Sequence, residues 1–553
     1  MKAGGTLSRL LLFVLALAAF LPGLATIPPF DRDESRYVQA SRQMLETGDF
    51  IDIRFQDEAR HKKPVGIYWM QAATVHVLTV GGDDGPVWMY RLPSLAGALA
   101  AVLLTAWAGA SLFGPAAGLL GAAMLATCVI LGVEARMAKT DAVQLACVMG
   151  CMGVLARVYM RPDLPLPRGL AMLFWLSLGL GILVKGVILM VVGAAMLALW
   201  IIDRDAPWLA RLRPVAGLAV LLALVLPWLA AITIATDGGF FATAVGHEFL
   251  GKAHAGQESH GAPPGYFLAS FWISFWPWAP LVLLALPWIW ARRHEAAVRF
   301  CLAWIIPTWV IHEIVVTKLP HYTLPVLPAV ALLAAAALLP ATGAVTAPRM
   351  RRWSWPAAAL MLLVSGALGV VLVGAPYRLM GQGLTGSLVA TGGIVLVAGG
   401  LLWFLLARHH RGRGLMVALL ASLGFHAGLF GMALPGLTPF WLSPQVRQVF
   451  DAQKPCAGSI LAAGGYTEPS MVFLVGTQTR LGGGGMVAGH LLADPACAIG
   501  LVTTGREEAA FLAAMQAAGR HPRRVAELSG FNYSRGRPVL LHFYILSGQD
   551  MDR

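Results

Sequence analysis

Apolar runs of about 20 residues, each long enough to cross the hydrocarbon of a bilayer, recur along this chain from residue 8 to residue 434. We read thirteen, near 8–27, 87–109, 115–133, 142–160, 168–184, 186–202, 214–235, 267–290, 297–316, 323–340, 355–375, 385–407 and 414–434. A soluble fold cannot hide that much apolar chain, because single cores stop growing near ~250–300 residues. Charge is correspondingly sparse, 12% of 553 residues, against roughly 25% in soluble proteins. Six scattered cysteines offer neither a disulfide framework nor a metal finger. The chain reads as an all-α polytopic membrane protein, which excludes a soluble enzyme and a disordered protein.

The few charges are mostly basic, 41 Lys and Arg against 28 Asp and Glu, and their placement gives the sides. Short cytoplasmic segments carry an excess of Lys and Arg. Lys2 and Arg9 precede the first run, and later alternate loops hold Arg157, Arg161 and Arg168, then Arg204, Arg211 and Arg213. Arg292, Arg293 and Arg299, then Arg349, Arg351 and Arg352, then Arg408, Arg411 and Arg413 continue the series. The N-terminus is therefore expected inside and, with an odd number of spans, the C-terminus outside. The basic balance reads as membrane orientation, and no nucleic-acid signature accompanies it. The first run also has the form of a secretory signal, but its length favours an uncleaved anchor.

Polar chemistry collects on the outer side. Two long outer loops, about 28–86 and 236–266, are joined by two short patches, Glu134–Asp141 and Thr317–Tyr322. In the first loop, Asp33–Leu45 has the spacing of an amphipathic helix lying on the membrane surface. Asp33 and Glu34 fall in its first turn, where negative charge suits the helix dipole, so capping alone accounts for them as readily as catalysis does. Arg60–Lys63 form a basic knot before an aromatic helix start, readable as interfacial anchoring or as a phosphate site. Lys139, Lys252 and Lys318 stand at outer span ends, against the positive-inside bias, and an anionic ligand would explain them. Glu134 and Asp141 flank membrane depth, where ionisable groups by default mark function; pairing with Arg136 and Lys139 is the bland alternative. Lys185-Gly186 reads as a tight turn. His247, His254 and His260 match no strong zinc spacing, so a divalent metal is possible but not indicated.

These residues carry a family resemblance. Asp33-Glu34-Ser35-Arg36-Tyr37 resembles the acidic signature of membrane glycosyltransferases with the GT-C fold, and Lys63-Pro64 with Tyr68-Trp69 resembles their lysine-proline element. Arg136–Asp141 resembles their second acidic site, and Thr317–Tyr322 with Leu324-Pro325 another outer signature. The set is similar to the bacterial branch related to protein mannosyltransferases, above all to the aminoarabinose transferases of lipid A. The second outer loop, GQESHGAPPGY, departs from that pattern. The resemblance implies a sugar donor on polyprenyl phosphate, in bacteria undecaprenyl phosphate, an outer-face acceptor and no required cofactor. Asp33, Glu34 and Asp141 would then be catalytic. Arg36, Tyr37, Lys62, Lys63, Tyr68, Lys139, Lys252, His260, Lys318, His321 and Tyr322 would bind donor phosphate and substrate, with Lys63 on the phosphate.

The acceptor can be argued from charge. A hydroxyl must lose a proton and needs a carboxylate base, whereas a phosphate needs neutralisation and orientation. The surplus of cations suits two anionic ligands, so a lipid A phosphate is expected; Ser/Thr transfer of the protein mannosyltransferase kind is the alternative. The rival class is a transporter of envelope lipid or sugar, but transporters often show internal repeats and midplane charges, which are not evident here. These expectations place residues 1–435 as the catalytic membrane domain in a bacterial inner membrane, with 436–553 as a periplasmic domain.

That last segment reads as a small α/β domain, with strands at Ser459–Ala463, Met471–Gly476, Ala498–Thr503 and Val539–Tyr544 and a helix at Arg506–Gly519. Gly482–Gly485 reads as a loop. Cys456 and Cys497, both outside, can form a disulfide; Cys128, Cys147, Cys151 and Cys301 lie in spans as small packing residues.

Overall fold

The computed structural model describes residues 5–244, 261–339, 348–407 and 410–546. Among them, eight helices are long and apolar enough to cross a membrane, and the bent pair Tyr266–Ser274 and Ala279–Ala291 makes a ninth. The other four expected spans correspond to shorter apolar helices, Thr6–Phe20, Pro115–Ala126, Arg168–Val184 and Ile188–Asp203. The membrane portion is thus a helical bundle with one large apolar core.

Two breaks correct the reading of uninterrupted spans. The expected run 115–133 stops at Ala126 and restarts as Val129–Glu134. The run 267–290 turns by 117° between its halves. Backbone groups freed at membrane depth must find partners within the protein, and here the two breaks satisfy each other. The Val129 amide donates to the Trp276 carbonyl at 3.2 Å, and the Trp278 indole donates to Thr127 Oγ1 at 3.0 Å. Trp276 and Trp278 are fully buried at this crossing. The consequence for function is that Glu134, at the end of the restarted helix, is brought to the cavity described below.

The first span is shorter than 8–27, because its helix ends at Phe20. Beyond it the chain turns at Pro22 and at Gly23, whose φ of +85° suits glycine. Two buried arginines pin this turn. Arg91 donates to the carbonyls of Leu24, Ile27 and Pro28 at 2.7–3.0 Å, and Arg136 donates to those of Ala19 and Pro22.

From the turn the chain enters the helix Asp33–Thr47, ended by Gly48 in the left-handed region. The helix is sandwiched, not laid on a surface: Tyr37 packs against Tyr68 of the helix Gly66–Leu78 at 5.2 Å. On its other side Arg42 donates to the Phe473 carbonyl of the C-terminal segment at 3.0 Å. A short hairpin, β1 (Arg54–Phe55) and β2 (Glu58–Ala59), precedes the basic knot.

The C-terminal segment builds a five-stranded sheet from β3 (Leu461–Gly464), β4 (Arg480–Gly482), β5 (Ile499–Thr503), β6 (Pro522–Asn532) and β7 (Arg537–Leu546). Their order is β4-β3-β5-β7-β6. β3 lies parallel to β4 and β5, while β7 runs antiparallel to β5 and β6. The expected strand Met471–Gly476 is instead a helix, Pro469–Val475. A short apolar run has no decisive period, and Pro469 in the first turn favours helix. Gly482–Gly485 is likewise not a plain loop: it ends β4 and opens the helix Gly484–Ala493. A Cβ at Gly484 would collide with the Glu507 carbonyl, so glycine allows these helices to touch. Cys456 and Cys497 are joined by a disulfide.

Candidate active site

Five separate segments of the chain converge on one cavity of about 400 Å³. The Asp33 helix and its entry turn give Asp31, Arg32, Asp33 and Tyr37, and the hairpin exit gives Arg60, Lys62 and Lys63. The loop between the third and fourth spans gives Glu134, Lys139, Thr140 and Asp141; Lys185, Thr317, His321 and Tyr322 close the other side. The wall between these groups is apolar, with Ile130, Val133 and Met137.

One side of the cavity is a paired network. Lys139 Nζ lies 3.1 Å from Glu134 Oε1 and 3.9 Å from Asp141 Oδ2. Lys185 Nζ holds Asp141 Oδ1 at 2.8 Å. The His321 ring lies between the two carboxylates, with Nδ1 3.7 Å from Glu134 Oε1 and Nε2 3.8 Å from Asp141 Oδ1. A charge left alone in so enclosed a site would be costly, and the ion pairs offset part of that cost. Burial alone would lower the Lys139 ammonium, but Glu134, Asp141 and Asp33 hold it well above the ordinary lysine range.

Asp33 stands opposite, open to the cavity. Being surrounded by protein would raise its carboxyl, but Lys139, Arg60, His321 and Arg36 outweigh that and hold it below the usual carboxylate range. Asp33 is therefore an anion at neutral pH with an accessible face. Arg60, largely buried, lies over the Tyr37 ring at 5.1 Å.

Glu34, expected beside Asp33 in catalysis, is turned away from the cavity. A helix sends adjacent residues about 100° apart, and Glu34 points inward, fully buried. Arg91 grips it twice, Nε to Oε1 at 2.8 Å and Nη2 to Oε2 at 2.9 Å. The amides of Phe30 and Ala138 donate to the same carboxylate at 2.9 and 2.8 Å. Glu34 thus ties the Asp33 helix to the turn before it, to the second span and to the loop carrying Lys139.

The remaining expected residues divide. Asp33, Asp141, Tyr37, Lys62, Lys63, Lys139, His321 and Tyr322 line the cavity. Three do not: Arg36 acts on Asp33 through its charge, Tyr68 backs Tyr37, and Lys318 donates to the Val315 carbonyl. Lys252 and His260, with His247 and His254, lie outside the described residues. The sequence marks Arg60 and Glu134 as candidates without assigning them to the site, and it reads Lys185 as a turn; all three line the cavity. The available signal for Lys185 is a cation at a span end expected outside, the same one that selects Lys139. Among the described residues, no group of three or more His, Cys, Asp or Glu is arranged to hold a metal ion.

Residues 7–236 match the family model of dolichyl-phosphate-mannose-protein mannosyltransferases. Curated relatives include an undecaprenyl phosphate-alpha-4-amino-4-deoxy-L-arabinose arabinosyl transferase of Aeromonas salmonicida, 27% identical over 58% of this chain and 58% of that one. Another, from Pseudomonas fluorescens, is 29% identical over 59% of this chain and 58% of the relative. The chain thus spans less than two thirds of the length of these relatives. The structure of ArnT from Cupriavidus metallidurans bound to undecaprenyl phosphate superposes with a TM-score of 0.74, 19% identity and 98% coverage of both chains. Residues 7–236 are thus similar in sequence to the protein mannosyltransferase family, and over nearly its whole length the chain shares the fold of ArnT from Cupriavidus metallidurans.

Proposed function

We propose that this protein is a membrane glycosyltransferase that moves a sugar from undecaprenyl phosphate to an acceptor at the outer face of a bacterial inner membrane. The acceptor is a phosphate of lipid A. One observation carries the reading: an accessible carboxylate, Asp33, shares one cavity with Arg60, Lys62, Lys63, Lys139 and Lys185. Two anionic substrates need such a surplus of positive charge to approach each other, and fixed charges cost no reorganisation as the reaction proceeds. The names of the curated relatives agree with this donor.

In the reaction, an acceptor phosphate oxygen bonds to the anomeric carbon as that carbon's bond to the donor phosphate oxygen breaks. Polyprenyl phosphate leaves with the electron pair, and Lys62, Lys63 and Arg60 balance its charge. Asp33 orients the acceptor and stabilises positive charge growing on the sugar ring, while Asp141, held by Lys185 and Lys139, keeps the opposite wall in register. The family match to protein mannosyltransferases favours a second reading, in which Asp33 takes the proton of a Ser or Thr hydroxyl.

The membrane domain, residues 1–435, does the chemistry, with its N-terminus cytoplasmic, and residues 436–553 stand in the periplasm. The test is purified protein in proteoliposomes with labelled sugar on undecaprenyl phosphate, offered lipid A or a Ser/Thr-rich peptide. Label in lipid A supports the proposal, and label in the peptide supports the second reading. Donor crossing the bilayer without transfer would replace both by transport.

A further inference from the structure

The sheet domain reaches the cavity at one place, the two residues that enter the Asp33 helix. The Asp31 amide donates to the Tyr533 hydroxyl at 2.7 Å. Ser470 Oγ donates to the Asp31 carboxylate, and Ser443 stands behind Ser470 at 2.6 Å. Arg32 Nη2 donates to the Ser534 carbonyl at 2.5 Å. Phe30 meets Trp441 edge-on at 5.3 Å, and Trp441 meets Tyr533 at 6.1 Å. Asp31 and Arg32 also line the cavity beside Asp33.

The backbone held there is one a residue with a side chain seldom adopts. Arg32 has φ +66° and ψ −109° at the position just before the helix, and no side chain caps that helix end. Such a conformation persists only where the surroundings over-determine it. On the membrane side, Glu34 fixes the first turn from within. On the other side, every side-chain contact described above to Asp31 and Arg32 comes from the 436–553 segment.

We propose that the C-terminal domain is a positioning element of the active site, with Tyr533 and Ser470 as positioning residues. They hold the left-handed Asp31–Arg32 turn and thereby aim Asp33 into the cavity. Neither residue touches the reacting atoms, and both act through the start of the helix. The functional half of this inference rests on the glycosyl-transfer reading; the structural half does not.

The experiment is hydrogen exchange and steady-state kinetics on full-length protein, comparing Tyr533→Phe and Ser470→Ala with the parent. Exchange of the segment 28–37 should quicken at least tenfold in Tyr533→Phe, while the sheet segment 499–503 exchanges as before. Transfer kcat should fall about tenfold, with donor KM changed less than twofold, because phosphate-binding lysines are untouched. Ser470→Ala should show the same pattern more weakly. Unchanged exchange at 28–37 in both variants overturns the inference, and so does faster exchange with unaltered kcat. A parent protein without transfer activity refutes the reaction reading instead, and the exchange comparison still decides whether the domain holds the turn.

Discussion

Asp33 and Glu34 are neighbours in sequence and opposites in role, so exchanging each for its amide separates chemistry from architecture. In Glu34→Gln the side chain keeps its shape but loses the charge that balances Arg91, both groups being fully buried. The carboxylate accepts four hydrogen bonds, two from Arg91 and one each from the Phe30 and Ala138 amides. A glutamine oxygen can keep the pair on one side, while its NH₂ faces the other two donors. Removing one partner of a buried ion pair costs about 3–5 kcal/mol, and an orphaned amide falls within the same range. Asp33→Asn removes a charge that is open to the cavity, so its stability cost is about 1 kcal/mol or less. Its effect on catalysis is the reverse, a loss of roughly 100-fold or more in transfer rate, the scale of a positioned catalytic group. The assay pairs thermal unfolding in detergent with sugar transfer per folded molecule. Glu34→Gln should melt well below the parent and lose transfer only with its folded fraction. A Glu34→Gln protein with parental melting and no transfer would refute the division, as would an Asp33→Asn protein destabilised to the same extent.

Lys63→Ala should raise the donor concentration needed for half-maximal transfer, with lipid A dependence unchanged; an unaltered donor requirement would take Lys63 off the phosphate. Lys185→Met should lower transfer about tenfold by releasing Asp141, and Lys185→Arg should restore part of it; equal activity in both would make the lysine a mere turn residue. Asp31 gives a pH signature. Burial first, and Glu468 second, raise its carboxyl from the usual 3.8 to about 7 against the opposing Ser470 and Tyr533 hydrogen bonds. The folded protein therefore binds more protons between about pH 4 and 7, and stability falls as pH rises through that window, by up to about 4 kcal/mol, then levels. Asp31→Asn should flatten this melting profile, and a variant that still follows the parental curve would contradict the assignment. Replacing Cys456 and Cys497 by serine opens a loop of 41 residues, which by loop-closure entropy costs about 4 kcal/mol. Limited proteolysis should then release fragments of the C-terminal domain sooner, while intact resistance would show that the sheet needs no bond.

Helix placement was largely legible because hydropathy is a local property: a run of apolar residues partitions by its own composition. The breaks at Thr127–Cys128 and Phe275–Trp278 were not, since each half remains apolar and only the crossing of the two explains where they bend. In the C-terminal domain, β5 and β7 were read from their apolar runs, whereas Met471–Gly476 looked like a strand until packing against the Asp33 helix showed its shape. Gly482–Gly485 read as a loop, and the need for glycine at Gly484 comes from Glu507, twenty-three residues on, whose carbonyl a Cβ would strike.

The sequence by itself determined that the chain crosses a membrane repeatedly, and it singled out Asp33, Lys63, Lys139 and Asp141 among the charged residues beside its apolar runs. Only the tertiary structure decided that Glu34 belongs to Arg91 and not to the cavity, that Lys185 and Glu134 complete the charged wall, and that the C-terminal domain grips the turn before Asp33. The reason is physical. Partition into lipid depends on each segment alone, whereas the charge state and direction of a side chain depend on neighbours that folding brings from distant parts of the chain.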